Sequence, residues 1–151
     1  MTDMQEWAEL AALQQLAARY WARADGDLAF PLCRLFMTDA TLQLGTLELA
    51  GLPAIERFFL QRDVTQREGQ RATRHIACNH LLKPLEPGRV EMRSTVLVYV
   101  GTGPWPLQST APAAIADFVD TCVRVPDGQW RFARREGRTV FIGAGAASFA
   151  K

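Results

Sequence analysis

Histidine is scarce in this chain. Its 151 residues contain two, and both fall in one short stretch, Arg74-His75-Ile76-Ala77-Cys78-Asn79-His80. Tyrosine is as rare, with Tyr20 and Tyr99 alone. Proton chemistry near neutral pH therefore rests on very few side chains. Cysteine is sparse too: Cys33, Cys78 and Cys122 are odd in number and far apart. That argues against a disulfide framework and fits a reducing compartment. There is no CxxC pair, so no structural zinc site is expected. Nor is there an excess of either charge. A net charge of +1 offers no broad basic field to nucleic acid or to an anionic membrane. No apolar run approaches the roughly 20 residues that span a bilayer. The opening residues, MTDMQEWAEL, are acidic and polar where a secretory leader is basic and then apolar. The expectation is a cytoplasmic chain with no nucleic-acid, membrane or metal partner.

What is present is the composition of one globular domain over 1–151, with 48% hydrophobic residues, enough to build a single core. Residues 6–24 read as a helix: Leu10, Leu13, Leu16, Tyr20, Trp21 and Ala24 recur at three- and four-residue spacings and mark one apolar face. Gly26, in Asp25-Gly26-Asp27, is placed to end it in a left-handed conformation. The sequence predicts a second helix near Leu28–Phe36, with Pro31 in its first turn. A hairpin should follow around Gly45-Thr46, then a third helix after Gly51-Leu52-Pro53 with Ile55, Phe58 and Phe59 buried. Residues 63–73 are polar and read as a surface loop.

Strand patterns then dominate, over 74–85, 89–101, 113–125 and 129–142, with turns at Glu86-Pro87-Gly88 and Pro126-Asp127-Gly128. These tight links imply an antiparallel meander. The longer connection 102–112 carries three prolines and Trp105. The tail 143–151, GAGAASFAK, has the composition of a flexible segment. Val96 to Val100 are apolar without alternation, so the sheet is expected to be covered on both faces, one by the helices and the other by a second copy of the chain. Runs of helix followed by runs of strand define an α+β class, three N-terminal helices on a strongly curved, mainly antiparallel sheet.

Five segments in order, LAARYWARADGD, LFMTDATLQLG, GLPAIERFF, TRHIACNH and FVDTCVRVPDGQWRFARR, resemble the SnoaL-like branch of the NTF2-like superfamily, which includes scytalone dehydratase-like proteins. The resemblance covers about Leu10 to Ile142. It implies a cone-shaped barrel enclosing an apolar pocket, usually in a homodimer packed through the open sheet face. Proteins of this fold include dehydratases, isomerases, cyclases, binding modules and the structural β-chains of ring-hydroxylating dioxygenases, so fold does not decide function.

Regular strand alternation puts His75, Ala77 and Asn79 on one face and Cys78 and His80 on the other. The two histidines then point apart and cannot share a metal. The resemblance implies that His75 faces the pocket with Asp25 near it. A carboxylate beside an imidazole fixes its tautomer, and the imidazole can move a proton from a carbon next to a carbonyl to a leaving hydroxyl, with no cofactor. The structural reading stands beside it: Asp25 also suits a helix end, and Asp27 a cap for the next helix. Asn79 is a candidate for orienting a substrate oxygen or for a backbone contact. Tyr20 and Tyr99 are candidates for the cavity wall, Tyr99 equally for packing. Trp105 suits a lid or an interface. Asp117 and Asp120 lie on opposite faces of one strand, and Asp120 is the one that matches the family. The chain lacks the later-strand histidine and the paired tyrosines of the dehydratases, so scytalone dehydratase activity itself is not expected.

GAGAAS at 143–148 is no dinucleotide motif, because no βαβ unit fits after it. Arg131, Arg134, Arg135 and Arg138 are split between strand faces. The leading expectation is a cofactor-free lyase, isomerase or cyclase acting on a small hydrophobic ring or polyketide-like molecule. The alternative is a ligand-binding protein or an accessory subunit.

Overall fold

The computed structural model describes residues 2–108 and 111–151. Helix α1 (Asp3–Ala24) opens with a capping box in which Thr2 and Gln5 satisfy each other's backbone amides. It ends in a Schellman arrangement: Asp27 N–H donates to the Ala22 carbonyl and Gly26 N–H to that of Arg23, with Gly26 at φ +103°. Strand β1 (Phe36–Leu44) and β2 (Leu47–Ala50) form the expected hairpin around Gly45-Thr46. Helix α2 (Leu52–Glu68) follows, with Pro53 in its first turn. The meander is β3 (Arg71–Glu86), β4 (Arg89–Thr102), β5 (Ala114–Arg124) and β6 (Trp130–Ile142). The sheet order is β2-β1-β6-β5-β4-β3, antiparallel except for the β1–β6 pair.

Two expectations are corrected. The helix near Leu28–Phe36 is a single 3-10 turn, Leu32–Arg34, so the described residues hold two α-helices rather than three. The turn stops because Phe36 pairs with Phe132 as β1 joins β6, and the Leu35 carbonyl accepts from the Phe132 N–H. Asp27 serves here not as a helix cap but in a local turn, accepting from Ala29 N–H at 3.0 Å. Residues 63–73 are not a loop. Helix α2 continues through Glu68 and strand β3 starts at Arg71, since a polar sequence on the solvent side of an amphipathic helix looks like a loop when its buried side is sparse. Between β4 and β5, residues 109 and 110 of the proline-rich connection lie outside the described residues.

The curved sheet wraps α1. Leu13, Leu16, Ala17, Tyr20 and Trp21 are buried against Phe36, Leu42, Phe59, Met92, Phe118 and Phe132, each large apolar side chain contributing about 1.5–3 kcal/mol. At the centre, Arg135 is fully buried, makes two bonds to Asp120 at 2.9 and 3.1 Å, and lies 4.0 Å from the Tyr20 ring centroid. Burial pushes the Asp120 carboxyl up to about 6, against the pull of Arg135. The tail does not hang free of the barrel: Ser148–Ala150 form a 3-10 turn, the Phe149 carbonyl accepts from Thr46 N–H at 3.0 Å, and its ring meets Phe58 edge-on at 5.9 Å. A Cβ on Gly45 would overlap that carbonyl.

Because the end of α1 places Asp25, the left-handed Gly26 is a direct test of the frame. Gly26→Ala should cost about 1 kcal/mol, since an L side chain strains a positive φ even where space is free. Thermal unfolding measures it, and an unchanged midpoint would show that the helix end is not held in this conformation.

Candidate active site

Arg71, Thr73 and His75 alternate along β3 onto its inner face, opposite the end of α1. The Asp25 carboxylate, in the C-cap position of α1, reaches across to all of this face except Arg71. Its Oδ1 lies 2.6 Å from His75 Nδ1 and accepts from Thr73 Oγ1 at 2.8 Å. Its Oδ2 accepts from the His75 backbone N–H at 3.0 Å. Thr73 in turn accepts from Arg62 Nη2 at 3.2 Å, and Arg62 Nε donates to the Ala24 carbonyl at the end of α1, also at 3.2 Å. The carboxylate is thereby fixed in place by three donors.

The His75 ring lies flat on Trp21, 4.6 Å between centroids and 16° between planes. With Nδ1 turned to Asp25, Nε2 is the nitrogen left for chemistry, and it makes no hydrogen bond among the described residues. Burial lowers the His75 pKa from the ordinary histidine value; Asp25 pulls it back up, and the charges of Arg62 and Arg135 push it down again. The net direction is down, so the ring is neutral at pH 7, with Nδ1–H donating to the carboxylate and Nε2 carrying a lone pair. That is the state of a general base.

The ring forms part of the wall of a cavity of about 110 Å³ inside the cone. Apolar side chains dominate the wall, including Tyr20, Phe58, Phe59, Val98, Ala116 and Phe118, together with Phe149 from the tail. Arg62 and Arg71 are its two cationic members. Burial raises the Tyr20 phenol above its ordinary value, so it stays protonated at neutral pH.

Of the residues singled out in the sequence, the structure brings together Asp25, His75 and Tyr20. The others lie elsewhere. Tyr99 pairs with Arg74 across β3 and β4 on the outer face, while its neighbours Val98 and Val100 line the cavity. Trp105 is 70% exposed and packs under the Arg74 guanidinium at 5.4 Å, outside the cavity wall. Asp120 points inward but is spent on Arg135 in the core, and Asp117 is on the exposed face, accepting from Thr95 Oγ1 at 3.4 Å. Asn79 is exposed at φ +57°.

That last angle overturns the expected alternation after Cys78. The register passes from Cys78–Thr95 to Leu81–Arg93, so Asn79 and His80 together oppose Ser94. This is a β-bulge. It carries His80 back towards the inside, where its Nε2 is buried without a hydrogen-bond partner among the described residues, as are Ser94 Oγ, Trp21 Nε1 and Arg135 Nη1. His75 and His80 therefore do not point to opposite faces; both border the groove between α1 and β3. Among the described residues no group of three or more His, Cys, Asp or Glu side chains is placed to hold a metal ion, and no helix is long and apolar enough to cross a membrane.

Sequence reasoning missed Thr73, Arg62 and Arg71. The parity that selected His75 also selects Thr73 and Arg71, but assigning 63–73 to a loop hid the start of the strand. Arg62 lies within the helix that the sequence predicts, but outside its apolar positions Ile55, Phe58 and Phe59, so nothing in the pattern marks it.

The chain is thus a cone of curved sheet around a helix, with a histidine–carboxylate pair on the wall of an apolar cavity. The model of the SnoaL-like domain matches residues 5–136, and the chain belongs to that family. Among solved structures, it is similar to a putative scytalone dehydratase from Novosphingobium aromaticivorans, with 22% identity, TM-score 0.76, and coverage of 97% of this chain and 100% of that one. It is also similar to LinA, with 23% identity, TM-score 0.71 and 97% coverage of each chain. ActVI-ORFA from Streptomyces coelicolor follows the same fold, with 16% identity, TM-score 0.74, and coverage of 88% and 96%. No curated protein matches the chain. At these identities the likeness establishes the fold.

The electrostatics of the pair give a test. His75 should titrate below 6.5, and Asp25→Asn should lower its pKa further, because the charge that favours the imidazolium is removed. The neutral ring's contribution to stability is complete above the unfolded value and is lost as pH falls from there towards the folded value. Titration of the ring carbons by NMR measures both values. An upward shift in Asp25→Asn would contradict this balance.

Proposed function

We propose that this chain is a cofactor-free acid–base enzyme, a lyase or isomerase of the dehydratase, isomerase or cyclase type, acting on a small hydrophobic ring or polyketide-like substrate. The observation that carries the reading is the 2.6 Å contact between Asp25 Oδ1 and His75 Nδ1 on the wall of an apolar cavity. His75 Nε2 removes a proton from a carbon next to a carbonyl. The imidazolium formed is stabilised by Asp25, which its Nδ1–H already faces. The same proton then passes to a departing hydroxyl, which leaves as water, or returns to a different carbon. The first outcome is dehydration and the second isomerisation. The Tyr20 phenol, protonated in the cavity wall, is a donor for the carbonyl oxygen on which charge develops. The likeness in fold to a putative scytalone dehydratase supports dehydration as one of the two outcomes.

The test is solvent exchange on a panel of cyclic ketones and β-hydroxy ketones in D2O, followed by NMR. Deuterium should enter next to the carbonyl. His75→Ala should slow that entry by about 10²–10⁴-fold, the usual contribution of a positioned base. Asp25→Asn should slow it as well. Exchange that His75→Ala leaves intact would remove the ring from the mechanism. Saturable binding without exchange across the panel would favour the non-catalytic, ligand-binding alternative.

The outer face of the sheet supports the expected pairing with a second copy. Ile76, Leu97, Ile115 and Phe141 are in register across four strands, with Ile76 and Phe141 51% and 65% exposed, and an apolar row of this kind is ordinarily covered. Light scattering should give twice the chain's mass. Ile76→Lys or Phe141→Lys should shift it to the mass of one chain, and a monomeric native protein would end this assignment.

A further inference from the structure

Two guanidinium groups line the otherwise apolar cavity, and they are not equivalent. Arg62 is engaged with Thr73 and with the Ala24 carbonyl. Arg71 makes neither a side-chain hydrogen bond nor an ion pair among the described residues. It is nevertheless partly buried, on the same inner face of β3 as Thr73 and His75. It borders both the cavity and the surface groove that runs past Asp63, Arg67 and Trp105, which places it at the mouth.

The nearby carboxylates are already committed. Asp25 is held by His75 and Thr73, and Asp63 takes both arms of Arg23 at 2.9 and 2.7 Å. Arg71 also faces a like charge: after burial, it is the strongest influence lowering the Arg62 pKa. An unpaired, partly desolvated cation beside another cation is a cost to the folded chain. A bound anion at the cavity mouth offsets it, and a planar guanidinium favours a planar two-oxygen acceptor.

We propose that the cavity takes substrates bearing a carboxylate-type anionic group, which Arg71 binds at the mouth with Arg62 behind it, while the apolar ring occupies the space beside His75. The inference rests on the small-molecule pocket of the proposed function and narrows its substrate class. Arg71 is the specificity-determining residue in this arrangement, and Arg62, engaged with Thr73 and the Ala24 carbonyl, supports Asp25. A neutral ring of the same shape satisfies the apolar wall but leaves the Arg71 charge unanswered.

Benzoate and its neutral isostere benzamide separate these cases by isothermal titration at low ionic strength. The native protein should bind benzoate at least about tenfold more tightly, as expected for one charge-assisted pair. Arg71→Met should abolish the preference while leaving benzamide affinity unchanged. Arg71→Lys, which keeps the charge and changes the shape, should retain part of it and guards against a folding defect in the first variant. Equal affinities for the two probes in the native protein, no saturable benzoate binding at millimolar concentration, or a preference that survives Arg71→Met would each overturn the proposal. The readout is binding alone. His75→Asn should keep the benzoate preference even though it removes the base, so failure of the proton-transfer mechanism and failure of anion selection are told apart.

Discussion

The Asp25 carboxylate is the constraint on which fold and site both depend. It stands where α1 ends and is held by donors from one strand, β3: a threonine hydroxyl, a backbone N–H and an imidazole. A carboxylate at a helix C-terminus faces the unfavourable end of the macrodipole. Here that is countered locally, because Arg62 places its Nε against the Ala24 carbonyl and its Nη2 against the threonine that holds Asp25. The helix end, the first turns of β3 and the middle of α2 are thus joined through one anion. The same contacts set the histidine ring in the cavity wall, so the geometry that closes the cone also orients His75.

Behind this network stands a second one, whose charged pair does not line the cavity. Arg135 and Asp120 pair in the core with both side chains fully buried, and the guanidinium is surrounded by Tyr20, Phe132, Phe118 and Trp21 at 4.0–4.9 Å. Cation–π contacts of this kind are strongest when desolvated. Their consequence for the site is positional. Tyr20 and Trp21 are adjacent on α1; one ring forms cavity wall and the other supports His75. Anchoring both on Arg135 leaves little freedom for the stack that orients the imidazole. A buried ion pair is weak support for stability by itself, but as a spacer between helix and sheet it fixes where these aromatic rings lie.

The Asp25–His75 pair was legible only through the resemblance to SnoaL-like proteins; local signals mark no more than a helix-ending glycine beside Asp25 and an alternating strand that carries His75. The meander was legible from its turns. What escaped were features set by tertiary pairing. Leu32–Leu35 have helical propensity, yet the demand of β6 for a parallel neighbour draws Phe36 into a strand. The bulge at Asn79 is invisible to a period-two count, and it reversed the assignment of His80. Arg71 and Thr73 continue the polar composition of the residues before them, which hides the first residues of β3. Tyr99 and Trp105 were plausible by residue type, but parity in one case and an outward-facing loop in the other keep them from the cavity.

In the proposed mechanism the His75 ring works as a neutral base. Two arginines raise the positive potential around His75 and burial removes water, and both effects favour the uncharged ring. Asp25 opposes them, but its charge is shared among three donors, so it stabilises the imidazolium without holding the resting ring in that form. A proton taken up by Nε2 is therefore held where Asp25 can stabilise it and where Arg62 and Arg135 promote its release. That balance suits a proton that arrives and leaves within one turnover, and a stronger carboxylate influence would trap it. The apolar wall extends the same logic to the substrate. With the tail's Phe149 against Phe58 and the Thr46 amide bonded to its carbonyl, the tail contributes to the wall. An apolar wall lowers the local dielectric, so each fixed charge in the cone is less screened than it is in water.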